Sequence, residues 1–132
     1  MKKTINIAIL FLTIGIVATS CKKEETVTPT VVGLWTGKYS NVVTSNDFTN
    51  GYAALVRSNG TVRFFDGSDT TTASKAEGTY TSVGNTFNAT YTYSGGGTFS
   101  VTATVNSINA FMEGTWGSGT STTSGKFFMH KP

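Results

Sequence analysis

One histidine, one cysteine and two prolines are all that this chain of 132 residues holds of the side chains that most often do chemistry or stiffen a backbone. His130 lies close to the C-terminus, where chain ends are often loosely held. Without a second histidine or a spare cysteine, a Ser-His-Asp triad, a Cys-His pair and a histidine-based metal site all lack parts. An enzyme is therefore not expected, and neither a cofactor nor a metal is. Charge is scarce too, at 13% of residues. Lys2 and Lys3 supply two of the ten basic side chains, so residues 21–132 hold eight against seven acidic ones. No basic stripe remains, which removes the electrostatic argument for nucleic-acid binding. The prolines are Pro29 and Pro132, so none falls between Val31 and Lys131.

Long apolar runs are also missing, with one exception. Residues 5–17 are apolar except for Asn6, Thr13 and Gly15, and Lys2 and Lys3 precede them. The run is shorter than the roughly 20 residues of a membrane span and has the anatomy of a secretory signal peptide. Ala18-Thr19-Ser20-Cys21 follows, and it resembles the lipobox of bacterial lipoproteins, with Ala18 where leucine is usual and Ser20 for the more frequent Gly or Ala. The resemblance implies that residues 1–20 are removed and that Cys21 is lipidated. A thiolate is the natural nucleophile for that thioether, and two or more acyl chains such as palmitate anchor stably. Residues 21–30 then form a polar tether. Its Lys22, Lys23, Glu24 and Glu25 resemble the surface-export signal of Bacteroidetes-type lipoproteins, with a plain solvated linker as the alternative. The expected location is the cell envelope, lipid-anchored in the outer membrane and displayed at its surface or facing the periplasm.

From Val31 onward, apolar residues alternate with polar ones, punctuated by Gly, Asn and Asp. The pattern predicts eight strands over residues 31–39, 52–57, 61–66, 76–81, 86–93, 98–105, 110–116 and 126–130, and no helix. Asn59-Gly60 is a strong two-residue hairpin signal. Residues 31–132 make one domain, the expected fold being a small up-and-down antiparallel barrel, which leaves no exposed edge; a β-sandwich is the alternative. An internal echo, Glu77-Gly78-Thr79-Tyr80 and Glu113-Gly114-Thr115-Trp116, opens two hairpins. Strand glycines of this kind leave space for a large neighbouring ring and permit the sharp coiling of a small barrel.

Gly33-x-Trp35 on the first strand, the short meander and the closing strand resemble the lipocalin-like, or calycin, barrels, and most of all the small lipocalin-like domains of bacterial lipoproteins. The chain departs from them in its shortness and in lacking a C-terminal helix. It also lacks a last-strand arginine over the tryptophan, for which Lys126 and Lys131 are the nearest substitutes.

The resemblance leaves two kinds of non-catalytic function open. In one, the barrel carries a small apolar or aromatic ligand, with Trp35, Phe64, Tyr80, Tyr91, Phe99 and Trp116 as candidate lining; such a carrier needs a cavity of roughly 300 Å³ or more. In the other, a filled barrel meets a protein or glycan through loops 41–50, 66–74 and 94–97, in the manner of a binding module or an envelope inhibitor. The rings are numerous for such short strands, which favours a filled interior. Glu77 and Glu113 hold matching places in the echo, but alternation puts them opposite Tyr80 and Trp116, on the solvent face. Asp66-Gly67-Ser68-Asp69 has too few acidic ligands for a calcium loop and reads as a turn. Asp69-Thr70-Thr71 resembles the Asp-Ser/Thr-x glycosylation site of Bacteroidetes-type exported proteins.

Overall fold

The structure, a computed structural model, describes residues 30–132. Cys21, the Lys22–Glu25 cluster and the leader expected over residues 1–20 lie outside the described residues. The strands are β1 (Gly33–Ser40), β2 (Asn50–Val56), β3 (Thr61–Asp66), β4 (Ser74–Val83), β5 (Thr86–Tyr93), β6 (Thr98–Val105), β7 (Phe111–Ser118) and β8 (Gly125–His130). Each pairs antiparallel with the next, and β8 returns to β1 in the register Thr36↔His130 to Ser40↔Lys126. The result is a closed eight-strand barrel. Closure satisfies both edges of the sheet and excludes a sandwich.

Period-two patterning is what fills this barrel. Inward-facing Trp35, Phe64, Phe87, Phe127, Met112 and Met129 are each at most 1% exposed, while the residues between them on their strands are threonine, asparagine, lysine or other outward-facing side chains. An eight-strand barrel is just wide enough for its own side chains to occupy the middle. One outward-facing ring departs from the pattern. Phe65 is only 5% exposed, and the neighbouring Ala53 is fully buried. Gly51, further along the same outer face of β2, lies under Ser68 of the β3–β4 loop.

Of the two roles the sequence suggests for the echo glycines, room for a ring and coiling of the wall, the structure shows the second. A Cβ on Gly78 would collide with the Thr90 carbonyl oxygen and stand 2.6 Å from Tyr91 Cα; one on Gly114 would collide with the Thr102 carbonyl and stand 2.6 Å from Ala103 Cα. The space is taken by the backbone of the adjoining strand and not by a ring. Both glycines therefore serve the coiling of the wall, at equivalent places in the β4–β5 and β6–β7 pairs.

Because the strand number is even, the two chain ends leave from the same end of the barrel. That end is closed. The Trp35 indole donates to the Val31 carbonyl at 2.7 Å, the Lys131 ammonium sits 5.0 Å from the centre of the Trp35 ring, and the same ammonium donates to the Thr30 carbonyl. Burial lowers the Lys131 pKa. Of the two lysines that could cover the tryptophan, Lys131 does so. Lys126 lies near the other end, its ammonium 3.4 Å from the Asn46 side-chain oxygen. Tyr80 also belongs to the closed end, where its hydroxyl donates to the Arg57 carbonyl at 2.9 Å and its ring stacks on Phe87.

Candidate functional site: an aromatic cup at the loop end

Antiparallel order decides which rings meet. Residues at the C-terminal ends of β1, β3, β5 and β7, and at the N-terminal ends of β2, β4, β6 and β8, share the end away from Thr30. Inward-facing positions there are Tyr39, Tyr52, Asp66, Tyr91, Tyr93, Phe99 and Trp116, and together they line a cup of about 110 Å³.

Four rings form its walls. Tyr39 meets Trp116 edge-on at 5.6 Å and 86°. Trp116 meets Phe99 at 6.1 Å and 55°, and Phe99 meets Tyr93 at 5.8 Å and 84°. Asp66 stands on β3 between Tyr39 and Tyr93 in the order of the wall, and accepts a hydrogen bond from the Tyr39 hydroxyl at 2.9 Å. The floor is Tyr52 and Tyr91, whose hydroxyls share a hydrogen bond of 2.7 Å. Beneath them Phe64 stacks against both, with ring centres 5.4 Å from Tyr52 and 4.1 Å from Tyr91. The floor of the cup is thus the top of the core.

Trp116 is held by the seam between β7, β8 and β1. A Cβ on Gly125 would collide with the indole, so glycine at that place lets the ring lean over β8. Its N–H then reaches the Ser40 carbonyl on β1 at 3.0 Å. Ser40 is itself buried, 3% exposed.

The electrostatics of the cup are simple. Burial pushes the Tyr91 phenol up to about 12. Tyr39 is also raised to about 12, first by burial and then by the hydrogen bond and charge of Asp66. Tyr52 and Tyr93 are raised as well, chiefly by burial. All four phenols remain neutral through the physiological range. The one formal charge on the lining is the Asp66 carboxylate, and among the described residues no ion pair reaches it. The lining offers aromatic faces, hydroxyls and one negative charge.

Of the six rings nominated from sequence, Tyr91, Phe99 and Trp116 line the cup and Phe64 lies directly below it. Trp35 and Tyr80 lie at the closed end. Sequence reasoning did not nominate Tyr39, Tyr52, Tyr93 or Asp66. Strand direction combined with alternation was the signal that could have found them. Glu77 and Glu113 are not brought together: they stand on β4 and β7, with β5 and β6 between them. Glu77 is paired with Arg57 at 3.0 Å and with Arg63, and the Arg57 bond is the first cause of its lowered pKa. Asp69 turns its own loop, accepting from the Thr71 N–H at 2.9 Å and the Thr72 hydroxyl at 2.8 Å. Hydrogen bonding from the Thr71 side chain, then from the Thr71 N–H and the Thr72 hydroxyl, lowers its pKa to about 2. Thr70 of the Asp69-Thr70-Thr71 triplet is half-buried in that turn.

A wider depression on the outer wall, about 390 Å³, lies between Phe48 and Asn46 of the β1–β2 loop and Phe111, Lys126 and Phe128 of the sheet. Its polar lining is Asn46, Glu113, Thr115 and Lys126, with Lys126 already bonded to Asn46. No protein-family model matches the chain, and no curated protein aligns with it. The functional reading therefore rests on geometry and sequence.

Proposed function

We propose that this chain is a lipid-anchored envelope protein whose barrel is a non-catalytic binding module, held to the outer membrane through Cys21 and presenting its aromatic cup away from the bilayer. The observation that carries the reading is the placement of the cup. It opens at the end opposite Thr30, the residue through which a tether from Cys21 joins the barrel. The tether end supports the same orientation. Val83, 78% exposed, and Ile108, 64% exposed, project from the β4–β5 turn and the β6–β7 loop there, with Val32, Leu34 and Phe111 also exposed on that half. Apolar tips on the bilayer side suit a domain tethered close to a membrane.

A pure carrier is less well supported. The cup of about 110 Å³ falls short of the roughly 300 Å³ at which pockets for drug-sized ligands begin, and the barrel below it is packed with rings. The resemblance to small lipocalin-like domains gains support from the lysine over Trp35 and the continuous meander, and it concerns architecture more than cargo.

The test is made on the full chain in its own host type. Cys21→Ser should move the protein from the membrane fraction to the soluble one, and the mature wild-type protein should begin at an acylated Cys21 by mass spectrometry. Retention of the variant on membranes after a salt wash, or a mature N-terminus elsewhere, would overturn the anchor.

A further inference from the structure

We propose that the cup is a binding site for a small organic cation, an alkyl- or methylammonium group, held against the aromatic walls with the Asp66 carboxylate as its counter-charge. The inference rests on the reading of the barrel as a binding module and names what that module takes.

Size comes first. A volume of about 110 Å³ is small beside the roughly 300 Å³ and more of pockets for drug-sized ligands, and it suits a compact group. A trimethylammonium or a lysine-like ammonium head fits this space. Shape comes second. Neighbouring walls stand at 86°, 55° and 84° to one another, so the rings bound a box and do not offer one flat platform for stacking. A compact, roughly spherical group touches several walls of such a box at once. A ring face carries the negative part of its quadrupole, and a cation within about 6 Å of it is attracted.

Charge comes third. Asp66 gives the cup one negative charge, and the neutral phenols do not add to it. The loops around this end, residues 41–49, 67–73, 94–97 and 119–124, contain Asp47 and Asp69 and no basic residue. The nearest lysines on the strands face outward. Lys75 donates to the Thr71 carbonyl at 3.3 Å and Lys126 to Asn46 at 3.4 Å. No cation of this chain competes for the box among the described residues, whereas the other end has its own ring–lysine pair already made in Trp35 and Lys131. Carboxylate and phosphate ligands are disfavoured by the same field.

Choline and its neutral isostere 3,3-dimethylbutan-1-ol, titrated calorimetrically into the full chain in detergent, separate charge from shape. Choline should bind and the isostere should bind at least tenfold more weakly. Asp66→Asn keeps an acceptor for the Tyr39 hydroxyl and removes the charge. It should weaken choline at least tenfold, leave the isostere unchanged and preserve the melting temperature. Phe99→Leu keeps the bulk and removes one aromatic face, and should weaken choline severalfold without weakening the isostere. Equal binding of the two probes, choline binding indifferent to Asp66→Asn, or no binding of choline would each overturn the cation site. With equal binding, or with no binding but release of Cys21→Ser from the membrane, the anchored module stands. Membrane retention of Cys21→Ser sinks that reading whatever the titration shows.

Discussion

The hydroxyl pair between Tyr52 and Tyr91 gives the most direct check on the account of the cup floor. Tyr52 is 4% exposed and Tyr91 3% exposed, and their oxygens are 2.7 Å apart. Replacing either with phenylalanine leaves the rings and the stack on Phe64 intact, so the change isolates one hydroxyl. In Tyr91→Phe the hydroxyl of the buried Tyr52 loses the Tyr91 hydroxyl as its partner. An unsatisfied buried polar group costs about 1–3 kcal/mol. In Tyr52→Phe the Tyr91 hydroxyl is left without the same partner, and because the two residues are equally buried the cost should be similar.

The double substitution removes both partners and strands nothing, which is close to neutral in general. Each single variant should therefore be less stable than the double variant, with a coupling of about 1 kcal/mol or more between the sites. Guanidinium unfolding followed by circular dichroism reads this directly, provided that the slope of the transition is unchanged. In thermal unfolding, about 1 kcal/mol corresponds to roughly 4–8 °C for a domain of this size. Additive single effects, or a double variant less stable than either single one, would refute the assignment of the pair as one shared bond closing the core beneath the cup.

Two other expectations follow from the geometry. Gly78→Ala and Gly114→Ala each drive a Cβ into the backbone of the next strand and should cost about 1–3 kcal/mol or prevent folding, whereas Gly95→Ala meets nothing within 4 Å and should be neutral or stabilising by up to about 1 kcal/mol; a chemical melt of the three variants that ranks Gly95→Ala lowest would show that the glycines are not there for strand approach. Raised phenol pKa values mean that the folded state holds protons the unfolded chain releases near pH 10, so their stability contribution is complete below about pH 10 and is lost as pH climbs through the folded values. Tyr91, at about 12, accounts for roughly 2–3 kcal/mol of loss by pH 12, Tyr52 adds in the same direction, and the partly exposed Tyr39 and Tyr93 add less. Tyrosinate absorbance should then appear together with loss of the β-sheet signal in an alkaline titration; a smooth rise centred near pH 10 with the barrel intact would contradict this.

Alternation made the strands legible because burial on one face is written directly in side chains. β3, β5 and β6 have the bounds read from sequence. β4 is longer at both ends, running from Ser74 to Val83, because Ser74, Lys75, Ser82 and Val83 pair through their backbones with Asp66, Phe65, Phe87 and Thr86 while their side chains show no apolar alternation. The cup was half legible for a related reason. Period two tells which face a ring occupies and says nothing of which end of the barrel it reaches, so Trp35 and Tyr80 looked equivalent to Phe99 and Trp116. Asp66 was read within a turn because its neighbours Gly67, Ser68 and Asp69 are turn residues. Its own position is the last inward-facing one of β3, two residues beyond Phe64.

An even number of strands does more here than close the barrel. It puts Thr30 and Lys131 side by side, so that the two chain ends can be used to seal the same opening: the Lys131 ammonium lies over Trp35 and holds the Thr30 carbonyl. The opposite opening then receives only hairpin loops and one longer excursion, residues 41–49, none of which closes the sheet. Under the proposed binding role, substitutions at Tyr93 or Phe99, on the rim, should change what the cup accepts while leaving the stack of Tyr52, Phe64 and Tyr91 in place. Those at Tyr52, Phe64 or Tyr91 should alter the proposed recognition and stability together, because these rings are floor and core at once. Specificity in such a barrel can therefore be rebuilt from the rim with little loss of stability, provided that the tyrosine floor is left alone.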